Sequence, residues 1–286
     1  TDKLICENSD DITSKCKYYG FDISKSENFD RIKDDIDIII HCASQSGGYR
    51  GLVEPELDCD WNCKGTLNVV NFAKEKQVKK VIYTSSMVVY GNGSFLKETD
   101  ETKPLSNYGV SKLTGEYYIK TLNEYDIDYT ILRLFNTYGF GQDMDNMKQG
   151  MVSIYLSQAL KTGKIEVTGS FDRIRDFIHV DDVVRSVELS INDDRTNNEI
   201  FNVCNGRETK VSELLEIEGL DEDIIELNIM ESTGGFSTLS FDADILSMVD
   251  ISEIIFYLNG DEDDTSMEES DSDDGEADVD LTPGDE

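Results

Sequence analysis

A chain of 286 residues is long enough for one large α/β domain with a smaller lobe beside it, and its net charge of −34 argues against nucleic acid, whose phosphates it would repel. No apolar run approaches the ~20 residues of a membrane span, residues 1–6 do not read as a signal peptide, and a cytoplasmic protein is expected. Two histidines and six cysteines with no C-x-x-C pair give little support to a metal centre or a hydrolase triad, so no metal is assigned and the thiols are read as reduced.

Short apolar runs alternate with longer amphipathic ones, the pattern of parallel strands joined by helical crossovers. Residues 18–21 and 36–42 read as strands, the second almost continuously apolar, as a strand covered on both faces should be. A helix is predicted over 55–76, with Trp61, Leu67, Val70 and Phe72 as buried positions. A strand over 80–85, a helix over 107–125 and a strand over 129–134 follow. The fold class is therefore α/β, a doubly wound, Rossmann-like parallel sheet.

Beyond Gly141 the pattern loosens into a helix over 151–162, strands over 165–168 and 177–180, a helix over 181–191, a strand over 199–203 and a short helix over 211–217. The expected organisation is a sheet domain over 1–140, rejoined by 181–203, and a smaller substrate lobe over 141–260. Residues 261–286 hold fourteen acidic residues and no Lys or Arg, and with so little apolar content they read as a disordered, solvating tail.

Tyr108 and Lys112 are four apart in a predicted helix, so phenol and ammonium can enter one cavity. A tyrosine of pKa ~10 is a poor base at neutral pH, and a cation beside it favours the phenolate. Upstream, Ser85 and Ser86 end a predicted strand, where open α/β sheets place ligand-binding groups. A hydroxyl there can hold the substrate oxygen whose proton the tyrosine removes. Taken singly, each of these signals is equally an ordinary surface helix or a strand-end turn. His41 and Cys42 suggest a cysteine nucleophile, but neighbours in one strand point to opposite faces.

Together these residues resemble the extended short-chain dehydrogenase/reductase family, especially its UDP-glucose 4-epimerase-like branch. Further blocks fit in order over roughly 17–206. The stretch from His41 through Ala43 and Ser44 is similar to the family's strand end facing the cofactor. Asn62 opens a block like N-x-x-G-T-x-N, Arg133 to Gly139 is like R-x-x-N-x-Y-G, and Arg175 to Asp182 is like R-D-F-I-H-V-x-D. Asp22 falls where the family often sets a carboxylate against the adenine.

The resemblance implies an NAD-dependent enzyme acting on a UDP-sugar or related nucleotide sugar. Tyr108 would be the base, Ser86 would hold the sugar oxygen, and Lys112 would bind the nicotinamide ribose. Asp22, Ala43, Ser44, Asn62 and Ser85 would complete the cofactor site, and Asn136 and Arg175 would meet the diphosphate. Family dehydratases carry Asp-Glu after the hydroxyl residue, and related decarboxylases keep a Glu two residues before the Tyr; here Met87 and Val88 stand there and cannot transfer protons. Epimerisation through a transient 4-keto sugar is thus the favoured reading. Family members commonly pair through a helix bundle, here the helices near 55–76 and 107–125, which makes a homodimer the expectation.

The chain departs from the family in lacking the G-x-x-G-x-x-G turn that brings backbone to the pyrophosphate. The glycines at 47, 48 and 51 match the loop after the fourth strand instead, which reads as a missing βα unit of about 30–40 residues. Towards the C-terminus, 231–235 and 242–246 are the nearest stretches to the family's small-lobe blocks, and its Arg is absent. A catalytically inactive member serving as a binding or scaffold protein is therefore the alternative, with a dehydratase or reductase third; NAD retention with turnover separates the first two.

Overall fold

Four parallel strands in the order β1-β2-β3-β8 carry the fold: β1 Ile38–His41, β2 Lys80–Ser86, β3 Asp128–Leu134 and β8 Glu199–Val203. The computed structural model describes residues 17–216, 227–230 and 239–240. The first six residues of β2 are all buried, because helices cover both faces of a parallel sheet.

On one face, Val81, Tyr83 and Ile131 pack with Val70, Ala73 and Ile119. On the other, Ile82, Leu132 and Val203 pack with Val183 and Ile178. The first group of helices comprises α1 Gly48–Val53, α2 Pro55–Asp58, a π-helical turn Cys59–Lys64, α3 Gly65–Lys76 and α4 Asn107–Lys120, which a 3-10 turn Thr121–Tyr125 extends. The predicted helix over 55–76 is thus one run broken by a π turn, a form that recurs at functional sites. Val70 and Phe72 are buried as expected, while Trp61 and Leu67 are only half-buried.

The remainder comprises β4 Asn136–Tyr138, α5 Met151–Thr162, β5 Lys164–Thr168, β6 Ile174–Arg175, β7 Phe177–His179, α6 Val180–Asn192, β9 Thr209–Lys210, α7 Val211–Glu216, β10 Leu227–Met230 and β11 Leu239–Ser240. Helix α6 buries Val183 and Ser190 and exposes Asp181, Asp182, Arg185 and Glu188, the one-sided pattern that seats it on the sheet. A second small core joins Tyr155, Ile165, Val167, Val211 and Leu215 from α5, β5 and α7.

One predicted strand does not form. Residues 18–21 have no ladder partner among the described residues; Tyr19 donates its hydroxyl to Asp34 at 3.0 Å and Phe21 packs edge-on to Phe29. A strand exists only where a neighbour takes its backbone groups. The stretches 231–235 and 242–246 and the acidic tail over 261–286 lie outside the described residues.

Candidate active site

The carboxyl ends of β1, β2 and β3 open into a cavity of about 640 Å³, the position where open parallel sheets bind ligands. Ser44, Ser85, Ser86, Tyr108, Lys112 and Asn136 all line it. Strand β2 delivers Ser85 and Ser86. Helix α4 delivers Tyr108 and Lys112, its start fixed by Ser106, whose side chain accepts from the Gly109 N–H at 3.1 Å. Asn136 comes from β4, where it donates to the Asp176 carbonyl at 2.9 Å and lies 3.8 Å from Met87 Sδ.

The buried face of α4 is polar: Ser111, Lys112 and Glu116 are enclosed together with Gly109, Gly115 and Ile119. Gly115 is required there, since a Cβ would overlap the Tyr83 hydroxyl. Lys112 is 2% exposed and donates to the Thr84 carbonyl at 2.6 Å, with Nζ 4.5 Å from the centre of the Tyr83 ring. Burial lowers its pKa to about 8, against the opposing pull of Cys42, Glu116 and Asp58. Burial raises the Tyr108 phenol to about 12, against the opposing pull of the nearby Ser86 hydroxyl and with a smaller push from Asp58. Desolvation is thus the main influence on the phenol, and the Lys112 ammonium is engaged by the Thr84 carbonyl.

Asn62 is fully buried in the wall behind the cavity. It accepts from the Gln45 N–H at 2.7 Å and donates to the Gln45 carbonyl at 3.1 Å, to Asp58 at 3.1 Å and to Ser111 Oγ at 3.0 Å. Its place in the π turn aims the amide at the loop after β1 and at α4 together.

Three predicted residues are not gathered with the rest. Asp22 is exposed, and its carboxylate accepts from the Ser24 N–H at 2.8 Å in a local turn. Ala43 is exposed and does not line the cavity, as its neighbour Ser44 does. Arg175 lies on β6 opposite Thr209, beside Arg173, with burial lowering its pKa. Conversely, Asp58 and Glu116, buried at 1% and 0% exposure, escaped the motif reading. Their helical offsets carry the signal: Asp58 is four before Asn62, and Glu116 four after Lys112.

The donor set suits the nicotinamide-ribose end of NAD: an ammonium and a phenol side by side, strand-end hydroxyls, and an apolar wall of Ile40, Val183 and Val187. Nothing acidic lines the cavity to read an adenosine ribose, so the fit covers that half of the cofactor. Among the described residues no cluster of three or more metal-ligating side chains forms, and no helix is long and apolar enough to cross a membrane.

Residues 3–204 match the model of the NAD dependent epimerase/dehydratase family. The chain belongs to that family. A Methanocaldococcus jannaschii protein is 34% identical to this epimerase/dehydratase family member over 221 residues, which is 76% of the chain and 71% of the relative. The UDP-glucose 4-epimerase of Mycolicibacterium smegmatis is 30% identical over 224 residues, 72% of the chain and 71% of the relative. The crystal structure of Thermotoga maritima UDP-glucose 4-epimerase with UDP-glucose is similar with a TM-score of 0.69 at 29% identity, covering 75% of this chain and 71% of that one. Family, Rossmann-like sheet and dependence on NAD thus agree with the strand-end cavity.

Proposed function

We propose that this family member is a nucleotide-sugar 4-epimerase acting on a UDP-hexose. The observation that carries the reading is the grouping of Ser86, Tyr108 and Lys112 in one cavity at the strand ends, with Met87 and Val88 where a dehydratase needs proton-transferring side chains. The similarity to UDP-glucose 4-epimerases supports the same substrate class.

In this reading Tyr108 takes the proton of the sugar 4-hydroxyl while Ser86 donates to that oxygen. When bound, NAD supplies the hydride acceptor and donor that epimerisation through a 4-keto sugar requires. Lys112 holds the nicotinamide ribose, with Ser44 and Ser85 on the same wall. Asn62 keeps the wall in place. Asn136 faces the substrate from β4, and Arg175 meets the diphosphate from the lobe over 141–260, away from the cavity itself.

A second reading, a family member that binds without turnover, draws on the enclosure of the phenol, which raises its pKa to about 12 and away from the range of a base at neutral pH. The deciding experiment incubates the chain with NAD and UDP-galactose and follows UDP-glucose by NMR. Exchange in the wild type and its loss by about 10²–10⁴-fold in Tyr108→Phe supports the epimerase. Bound NAD with no exchange favours the second reading, and full activity in Tyr108→Phe removes the tyrosine from the mechanism.

A further inference from the structure

Helix α4 carries a third buried group in line with Tyr108 and Lys112. Glu116 is one turn beyond the lysine and fully enclosed. Its Oε1 accepts from Ser85 Oγ at 2.6 Å and from Arg133 Nε at 2.9 Å, and its Oε2 accepts from Arg133 Nη2 at 2.7 Å. Ser85 and Arg133 are register partners across β2 and β3, so one carboxylate closes over a rung of the sheet. The guanidinium also lies 4.6 Å from the centre of the Tyr90 ring, and Tyr90 donates to Asn202 on β8 at 2.7 Å.

A buried ion pair adds little stability over well-packed apolar side chains, because desolvation offsets the attraction. Its geometric consequence is specific. Ser85 precedes Ser86, Arg133 stands three residues before Asn136, and Glu116 shares its helix with Tyr108 and Lys112. Helix α4, strand β2 and strand β3, which leads into β4 and Asn136, meet at this carboxylate.

We propose that Glu116 is the positioning residue of the site: clamped by Ser85 and Arg133, it fixes the Tyr108–Lys112 face of α4 against the Ser86 strand end and holds a negative charge behind Lys112. The proposal rests on the epimerase reading for the roles of those three residues. The charged and titratable groups facing Lys112 are Cys42 and His41 from the end of β1, Asp58 from α2, Tyr83 from β2 and Glu116 from its own helix. Withdrawing the Glu116 charge removes one of the supports of the ammonium.

The test compares wild type, Glu116→Gln and the double variant Glu116→Leu/Arg133→Met, which replaces the pair by apolar side chains and keeps the fold if the single variant does not. UDP-galactose exchange with NAD is measured across pH, and the Cε resonances of ¹³C-labelled lysine are titrated, with Lys112→Met assigning the signal. The expected result is a fall in kcat of about 10–100-fold with KM within about two-fold in both variants and, in Glu116→Gln, where Arg133 keeps its charge, a Lys112 titration moved down by about half a pH unit or more. Unchanged kcat and an unchanged Lys112 titration in the folded variants overturn the proposal. Should the wild type show no exchange, the epimerase reading fails, and the lysine titration alone still decides whether Glu116 supports Lys112.

Discussion

Lys112 donates its ammonium to the main-chain carbonyl of Thr84 at 2.6 Å, tying α4 to the strand end from inside the protein. A charge kept there is costly: burial lowers its pKa from 10.5 to about 8. Below pH 8 both folded and unfolded states hold the proton and the folded state bears the full desolvation cost; between 8 and 10.5 the folded state has released the proton and stability rises with pH.

Lys112→Met should therefore stabilise the protein at pH 7. The shift corresponds to about 3 kcal/mol, less the lost Thr84 bond and the contact with Tyr83, leaving about 1–2 kcal/mol. Urea unfolding at pH 7 and pH 10 checks this. The variant should be the more stable at pH 7 and lose its advantage by pH 10; a destabilised variant at both would mean that the ammonium is held by more than it costs.

His41 gives a dependence of the same sign at acid pH. It is enclosed, with Nε2 2.9 Å from Thr66 Oγ1, and burial first, then the Lys112 charge, lowers its pKa to about 3. Above pH 6.5 it is neutral in both states and contributes nothing. As pH falls below 6.5 the unfolded state gains a proton that the folded state refuses, so stability is lost progressively down to about pH 3. Between pH 6.5 and 5 the loss should be about 2 kcal/mol, before most carboxylates titrate. Measured as the urea midpoint, that slope should largely vanish in His41→Gln, and a slope equal to wild type would place the acid sensitivity elsewhere.

The main sheet was legible because strands buried on both faces leave continuous apolar runs: 36–42 and 80–85 contain β1 and nearly all of β2. Strand β8 and helix α5 fall at the bounds that periodicity predicts. The run over 18–21 misled because apolar content does not itself supply a neighbour, and none pairs with it among the described residues. At the site, the Tyr108–Lys112 spacing and the serines after β2 carried the chemistry, since helix periodicity and strand ends fix where such groups point. Glu116 and Asp58 were hidden because a charged residue in a helix reads as solvent-facing until its partners on other elements are known; Arg133, 17 residues away, makes Glu116 a buried one. Sequence proximity to a cation likewise says nothing of desolvation, which raises the phenol.

Asn62 tests the wall of the cavity. Its amide satisfies the Gln45 backbone at both N–H and carbonyl and reaches Asp58 and Ser111. Asn62→Ala leaves a buried N–H and a buried carboxylate without these partners, an expected loss of about 2–4 kcal/mol. Asn62→Asp keeps an acceptor for the Gln45 N–H but sets a second carboxylate against Asp58, and should be at least as damaging at neutral pH. Urea denaturation of both variants is the measurement; a loss below about 1 kcal/mol in each would show that water replaces the amide.

Gly51 offers a way to disturb the tyrosine without touching its chemistry. It lies in α1 at the start of α4, where Asn107 donates to its carbonyl at 2.9 Å. A Cβ there would meet the Tyr108 backbone nitrogen at 3.1 Å, Tyr108 Cβ at 3.2 Å and Asp58 Oδ1 at 3.3 Å. These atoms belong to backbone and a short side chain, so they must shift by a few tenths of an ångström. Alanine is also the better helix former by about 1 kcal/mol, which offsets part of the strain. Gly51→Ala should thus change stability by no more than about 1 kcal/mol while displacing Tyr108 within the cavity. The expected readout is a kcat reduced about ten-fold with the unfolding midpoint nearly unchanged, since small misplacements of a reacting group are amplified in rate. If kcat survives intact, the start of α4 is compliant and Tyr108 keeps its place.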